Sequence, residues 1–403
     1  MSSTEPIYMD HHATTPVDPR VLEAMLPYFT EKFGNAASTT HGFGHAASAA
    51  VKAARGSIAN AVGAKASEII FTSGATESNN LAIFGAAARY RSQGKHIVSV
   101  VTEHPAVLDP LKQLEKRGYP ITLLPVTSWG SEDAGLVRVE QVAEAIRKDT
   151  ILVTVMMGNN EIGAIQPIRE IGQLCKEQEV LFHTDATQAV GRLPVDVMEL
   201  GIDLMSFSAH KMYGPKGAGA LFVRRRNPFV RLEPLVYGGG HERNIRSGTL
   251  NVPGIVGLAR ALELCVDEMD EESARLGSLR DRLFDGLSSQ LEGVLVNGPA
   301  LDANRRLANN LNVSFDGIDG ESLLLSTRHL SASSGSACTS ANPEPSHVLR
   351  SLGLSDEAAK SSIRFGLGRG NTEAHVDYVI GAIVDAVSRL RKMSSLPVLR
   401  PDA

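Results

Sequence analysis

The chain has 403 residues, 43% hydrophobic and 21% charged, with 40 basic and 45 acidic side chains for a net charge of −5. That composition is globular and long enough for two domains at roughly 150 residues each, and its mild acidity argues against non-specific binding to nucleic acid, which needs a basic surface. No run approaches the ~18 apolar residues that span a bilayer. The N-terminal stretch has neither the basic nor the apolar segment of a secretory signal. Three cysteines make no disulfide framework. The chain is expected in the reducing cytoplasm, with no membrane and no direct nucleic-acid partner.

From about residue 50 to 225, short β-rich runs alternate with helical patterns. Strands are expected at 68–72, 96–100, 121–126, 151–156, 180–185, 203–208 and 218–223. Several are near-continuous apolar runs, as strands covered on both faces should be. Helical spacing fills most of the intervals, as at 78–90 and 139–148. The alternation predicts an α/β unit with a mostly parallel seven-stranded sheet flanked by helices. The link between the last two strands is short and glycine-rich, which predicts one antiparallel pairing at an edge. One long helical stretch then runs from 252 to about 291, interrupted at most by a kink, with Leu276, Leu279, Leu283 and Leu287 on one apolar stripe. Strand-like runs at 294–297 and 309–315, a small-residue loop, a strand at 362–367 and a helix at 372–393 complete a smaller α+β unit. The expected domains are 15–255, large, and 256–403 together with 1–14, small.

In an open α/β sheet, ligands bind outside the carboxyl ends of the strands. The run Thr72-Ser73-Gly74-Ala75-Thr76 leads from a strand into a helix and reads either as a phosphate cradle or as a plain helix start. His104 follows another strand and is either structural or catalytic. Asn159 and Asn160 lie between glycines, where turn chemistry is the plain alternative. Asp185 ends an apolar run, with Gln188 three residues on; it needs a partner or caps a helix. Ser208-Ala209-His210-Lys211 ends the next strand, and a buried lysine there is suited to a Schiff base. Together these groups are what pyridoxal phosphate requires: a phosphate cradle, a carboxylate, an amide, a histidine and a lysine. The glycine-rich run at 214–219 imitates a dinucleotide loop but precedes a strand rather than a helix. No metal site is expected, because no helical histidine pair has a third ligand and no C-x-x-C exists. Cys175 and Cys265 lie in helical sequence and read as packing residues. Cys338, within the small-residue run 330–341, is either a nucleophile or an incidental surface thiol.

The motifs Tyr8-Met9-Asp10, Ser73-Gly74-Ala75-Thr76-Glu77-Ser78, Thr102-Glu103-His104, Asn159-Asn160-Glu161-Ile162-Gly163, Asp185-Ala186-Thr187-Gln188, Ser208-Ala209-His210-Lys211, Gly238-Gly239-Gly240-His241-Glu242, Arg246-Ser247-Gly248-Thr249, Ser333-Ser334-Gly335-Ser336-Ala337-Cys338 and Arg364-Phe365 stand in order along nearly the whole chain. In that order and spacing the chain resembles the cysteine desulfurases of the NifS/IscS type, group I, within the class V aminotransferase-like enzymes of the type I pyridoxal-phosphate fold. The resemblance implies that Lys211 holds the cofactor, Asp185 pairs with its ring nitrogen, Gln188 and Asn159 face its phenolic oxygen, and His104 stacks on the ring and shuttles protons. It further implies that Ala75, Thr76, Ser208 and His210 bind phosphate, with Thr249 reaching in from a second subunit of a homodimer. Arg364, with Asn159 and Asn35, would hold the carboxylate of L-cysteine. Cys338 would take the sulfur as a persulfide, leaving alanine, and pass it to an acceptor protein such as an iron–sulfur scaffold or a thiolation pathway. A selenocysteine lyase, another lyase or aminotransferase on the same cofactor, and a non-catalytic sulfur carrier are the rival readings. Two departures lie near the expected site: His11-His12 stands where many members have Asn-Asn or Tyr-Ser, and Ala36 where many have proline. The C-terminal stretch is also shorter than the acidic, aromatic tail with which many members engage a scaffold.

Overall fold

The structure, a computed structural model, describes residues 6–302, 304–334 and 344–393. In chain order its strands are β1 (Ile7–Tyr8), β2 (Ile69–Thr72), β3 (His96–Val100), β4 (Ile121–Leu124), β5 (Thr150–Thr154), β6 (Leu181–Asp185), β7 (Leu204–Ser208), β8 (Gly219–Val223), β9 (Val294–Val296), β10 (Asn310–Phe315), β11 (Leu330–Ser331), β12 (Ser333–Ser334) and β13 (Ser362–Gly366). Seven of them form one sheet in the order β2-β8-β7-β6-β5-β3-β4. From β7 through β4 every pairing is parallel. Within β2, β3 and β7, successive apolar residues feed two separate cores on opposite faces, as the period of two requires: Ile69 and Phe71 go to one, Ile70 to the other.

The antiparallel strand corrects the sequence expectation. β8 does pair antiparallel with β7, but it is not at the edge, because β2 pairs antiparallel on its other side. The insertion depends on Gly219, where an added Cβ would lie 2.5 Å from the Gly74 Cα and 2.8 Å from the Phe207 carbonyl oxygen. The two reversals leave β2 running in the same direction as β7, so its carboxyl end opens onto the same rim as the parallel strands.

The long helical stretch is two helices, Val252–Asp267 and Met269–Ser288, broken at Glu268 (φ −101°, ψ 4°). The first packs against helix Gly42–Ala61 beside the large sheet. The second presents Leu276, Leu279, Leu283 and Leu287 to a separate core, shared with Met9, β10, β13 and the helix Glu373–Met393. There β12-β13-β10-β9 form a four-stranded sheet, and β1 pairs in parallel with β11. Among the described residues, no helix is long and apolar enough to cross a membrane.

Candidate active site

Ligand-capable residues meet where β2, β3, β6 and β7 end. The helix Ala75–Tyr90 follows β2 and begins three residues earlier than its apolar spacing predicts. The cause is Gly74, at φ 154° and ψ −179°, a conformation open essentially to glycine alone. No side chain caps this 16-residue helix, so its first N–H groups and the positive end of its dipole face outward. The Thr72 hydroxyl instead bonds the Ser78 hydroxyl at 2.8 Å, and Glu77 is drawn aside by Arg246 at 2.6 Å. β7 runs directly into Ser208, His210 and Lys211, and β6 ends on Asp185.

These elements enclose a cavity of about 610 Å³. Of the residues singled out from the sequence, Ala75, Thr76, His104, Asp185, Gln188, Ser208, His210, Lys211 and Arg364 all line it. Asn159 does not. Its amide is turned into its own loop, donating to the Thr102 carbonyl at 3.0 Å and accepting from the Glu161 and Ile162 N–H groups at 2.8 and 2.9 Å. The neighbouring Asn160 lines the cavity in its place. Asn35 is exposed and its side chain accepts from the Ala37 N–H at 2.9 Å. Thr249 is exposed and also outside the cavity of its own chain. Cys338 lies outside the described residues. Cys175 and Cys265 are buried. Burial pushes the Cys265 thiol up to about 11 and raises that of Cys175 as well, so neither is a thiolate at neutral pH.

The cavity's polar groups are held by specific bonds. The Asp185 carboxylate accepts from Asn79 Nδ2 at 2.6 Å and from the Thr187 N–H at 2.9 Å. Lys211 Nζ donates to the Ala13 carbonyl at 2.8 Å and to that of His12. Gln188 is tied to His12 at both ends of its amide. His104 caps the helix Pro105–Lys116, its Nδ1 accepting from the Ala106 N–H at 3.0 Å, which leaves the proton on Nε2. Burial holds the His104 imidazole below its ordinary range, with Lys211 adding to the effect. Burial, Lys211 and Lys216 bring His210 down to about 4. Glu103, next to His104, is fully buried and accepts from the Met156 N–H, and burial together with the Asp185 charge pushes its carboxyl well up.

Arg364, buried on β13 of the small sheet, also lines the cavity. Its guanidinium donates to Asp10 Oδ1 at 2.7 Å, to the Asn160 carbonyl at 3.1 Å and to Ser333 Oγ at 3.2 Å. Sequence reading singled out Asn159 and Asn160 together but gave the site role to Asn159, passed over His12 as a direct contact of Gln188, and missed Asn79 and Asn310. Asn79 lies one helical turn after Ala75, on the same face as the cradle, and that i, i+4 spacing was the available signal. Asn310 carries none, since it reaches the site only by tertiary packing.

The family described as aminotransferase class-V matches residues 7–379. A cysteine desulfurase IscS of Anaeromyxobacter dehalogenans is 54% identical over 391 residues, which cover 97% of this chain and 95% of the relative. One from Glaesserella parasuis is 54% identical over 393 residues, with 97% and 95% covered. Among solved structures, a NifS-like protein superposes with a TM-score of 0.86 at 38% identity, covering 95% of this chain and all of that one. A structure described as SspA in complex with cysteine gives 0.78 at 38% identity, with 89% and 98% covered.

Proposed function

The chain belongs to the aminotransferase class-V family, and from that premise we propose that it is a pyridoxal 5'-phosphate-dependent cysteine desulfurase, converting L-cysteine to L-alanine and delivering the sulfur through Cys338. The observation that carries this is one cavity lined by Lys211 and Asp185, at the ends of adjacent strands of the large sheet, and by a buried arginine, Arg364, from the small sheet. The residues present fit the cofactor by their chemistry. An uncapped helix N-terminus beside Ser208 and His210 suits a phosphate, the Asp185 carboxylate suits a ring N–H, and Lys211 suits an aldehyde carbon. Asn79 Oδ1 and Arg364 Nε are buried without a partner among the described residues, as atoms awaiting a ligand would be.

On this reading Ala75, Thr76, Ser208 and His210 hold the phosphate, Asp185 keeps the ring nitrogen protonated, and Gln188 donates to the phenolic oxygen. When bound, the cofactor supplies an electron sink for the pair released as the substrate's α C–H bond breaks. Lys211 Nζ, which would hold the cofactor, would take the α-proton when its amine is free. Arg364 binds the substrate carboxylate as a two-pronged donor, with Asn160 beside it. His104, neutral with its proton on Nε2, exchanges a proton with the substrate thiol. The Cys338 thiolate attacks the substrate sulfur. The S–S bond forms as the C–S bond breaks, the electron pair left on the β-carbon takes up a proton, and Lys211 returns a proton to the α-carbon to give alanine. The persulfide then passes to an acceptor protein, for which an iron–sulfur scaffold is the assignment. The working unit is a homodimer, in which Thr249 completes the partner's phosphate site. Its exposure outside its own cavity supports this, as does the exposed apolar stripe of Leu22, Leu26, Phe29, Phe33 and Phe43. We place the enzyme in the cytoplasm, where its thiol stays reduced.

The test is to load the purified protein with pyridoxal phosphate, add L-cysteine and a reductant, and measure products. Alanine and sulfide in equal amounts are expected, with no product from Lys211→Ala. Pyruvate and ammonia in place of alanine would make the protein a β-lyase.

A further inference from the structure

We propose that His12 is a positioning residue that orients the Gln188 amide toward the cavity, held in one tautomer by Asn310 of the small sheet. The inference rests on reading the cavity as a pyridoxal-phosphate site, with Gln188 beside the phenolic oxygen.

The hydrogen-bond directions leave no freedom. Asn310 Oδ1 faces Arg306 Nη1 at 3.0 Å, and Asn310 Nδ2 faces the Glu161 carbonyl at 3.0 Å. An arginine only donates and a carbonyl only accepts, so the Asn310 amide can point one way. Its second Nδ2 hydrogen reaches His12 Nε2 at 3.2 Å, which must therefore be the unprotonated nitrogen. The proton sits on Nδ1, 3.1 Å from Gln188 Oε1. At the other end, Gln188 Nε2 donates to the His12 carbonyl at 3.0 Å. One residue thus grips both ends of the glutamine amide and fixes which end is NH2, leaving its second hydrogen for a ligand in the cavity. His12, Gln188 and Asn310 are all buried. Burial, with Arg192, Arg364 and Lys211 around it, keeps the imidazole neutral, so the relay does not switch its directions near neutral pH. The chain Arg306–Asn310–His12–Gln188 therefore fixes a cavity donor from the small sheet, across the seam between the two cores.

A donor bond to the phenolic oxygen draws off negative charge that would otherwise help retain the proton on the Lys211 nitrogen. Loosening Gln188 should make that proton harder to remove. The experiment is a pH titration of the visible absorbance of the cofactor bound to wild type, His12→Ala, His12→Asn, Asn310→Ala and Gln188→Ala, with thermal melts as the control for folding. The expected result is a midpoint raised by about one pH unit in His12→Ala and by less in Asn310→Ala. His12→Asn should return toward wild type, because its amide nitrogen stands at the Nδ1 position and can donate to Oε1. In a Gln188→Ala background, His12→Ala should add nothing. Folded His12→Ala protein with an unchanged midpoint, or an equal shift without Gln188, would overturn the inference. Should His12→Ala not fold, an unchanged midpoint in Asn310→Ala does the same. Wild-type protein with no titrating absorbance would overturn the reading of the cavity itself.

Discussion

The two ends of the cavity are made of different material. At the end assigned to phosphate, the donors are backbone N–H groups of one helix turn and the side chains of Ser208 and His210, supplied by two short contiguous stretches. At the end assigned to the substrate carboxylate, one guanidinium is gripped by Asp10, Asn160 and Ser333, from three separate parts of the chain. A site made of backbone is set by local conformation and loses little when one side chain changes. A site made around a buried charge is already paired, so the substrate must compete with Asp10, and removing the charge strands its partners.

The largest effect that can break this contrast is at the carboxylate end. Arg364→Ala is expected to lower kcat/KM for L-cysteine by about 10²–10³-fold, the ~3–4 kcal/mol scale of a truncated buried charge pair. Arg364→Lys should recover little, because the ammonium lacks the planar fork. A loss under tenfold would mean that the carboxylate binds elsewhere.

The next test concerns the scaffold of the phosphate end. Glu242 accepts two bonds from Arg55, at 2.6 and 2.7 Å, and one from the Phe71 N–H at 2.8 Å, bracing β2 just before the cradle. Glu242→Ala leaves the half-buried Arg55 with the Ile69 carbonyl at 2.6 Å and the buried Phe71 N–H without its acceptor, and is expected to destabilise the fold by about 2 kcal/mol, read from denaturant unfolding. Cofactor affinity in the protein that remains folded should change little, since the helix turn itself is intact.

Acid should weaken both ends together. Burial holds His11, His183 and His210 each at about 4, against 6.5 for a free imidazole. Unfolded, these rings take up protons below about 6.5. Their folded neutral state therefore contributes stability fully above that pH, and the contribution is lost as pH falls toward 4. A melting temperature lower at about pH 5 than at about pH 7.5 is expected, and His210→Asn should remove part of the difference. The smallest effect is Ser208→Ala, one hydroxyl in a backbone-made cradle, expected to weaken cofactor binding by about fivefold (~1 kcal/mol). A hundredfold loss there would erase the contrast between the two ends.

The same contrast explains what could be read from sequence. The cradle after β2, Asp185 and Ser208 to Lys211 are contiguous motifs at strand ends, and strand ends follow from apolar periodicity. The place of β8 between β2 and β7 was not legible, because pairing order depends on the close approach of Gly219 to Gly74, which no local pattern encodes. The choice between Asn159 and Asn160 was equally hidden. It is decided by a turn in which the Asn159 amide bonds the following N–H groups and so points away from the cavity. Asp10, Asn160 and Ser333 gather around Arg364 only through tertiary packing, so Arg364 could be placed by resemblance while its partners could not.

The central claim is that this cavity moves sulfur from L-cysteine to Cys338. Its most direct test is to add L-cysteine to the cofactor-loaded enzyme without reductant and to weigh the cysteine-containing peptides. The account predicts one alanine per chain and the mass gain of one sulfur atom on the peptide that contains Cys338, with Cys175 and Cys265 unmodified and no gain in Cys338→Ser. Alanine formed at the wild-type rate by Cys338→Ser, or the sulfur found on Cys175 or Cys265, would contradict it.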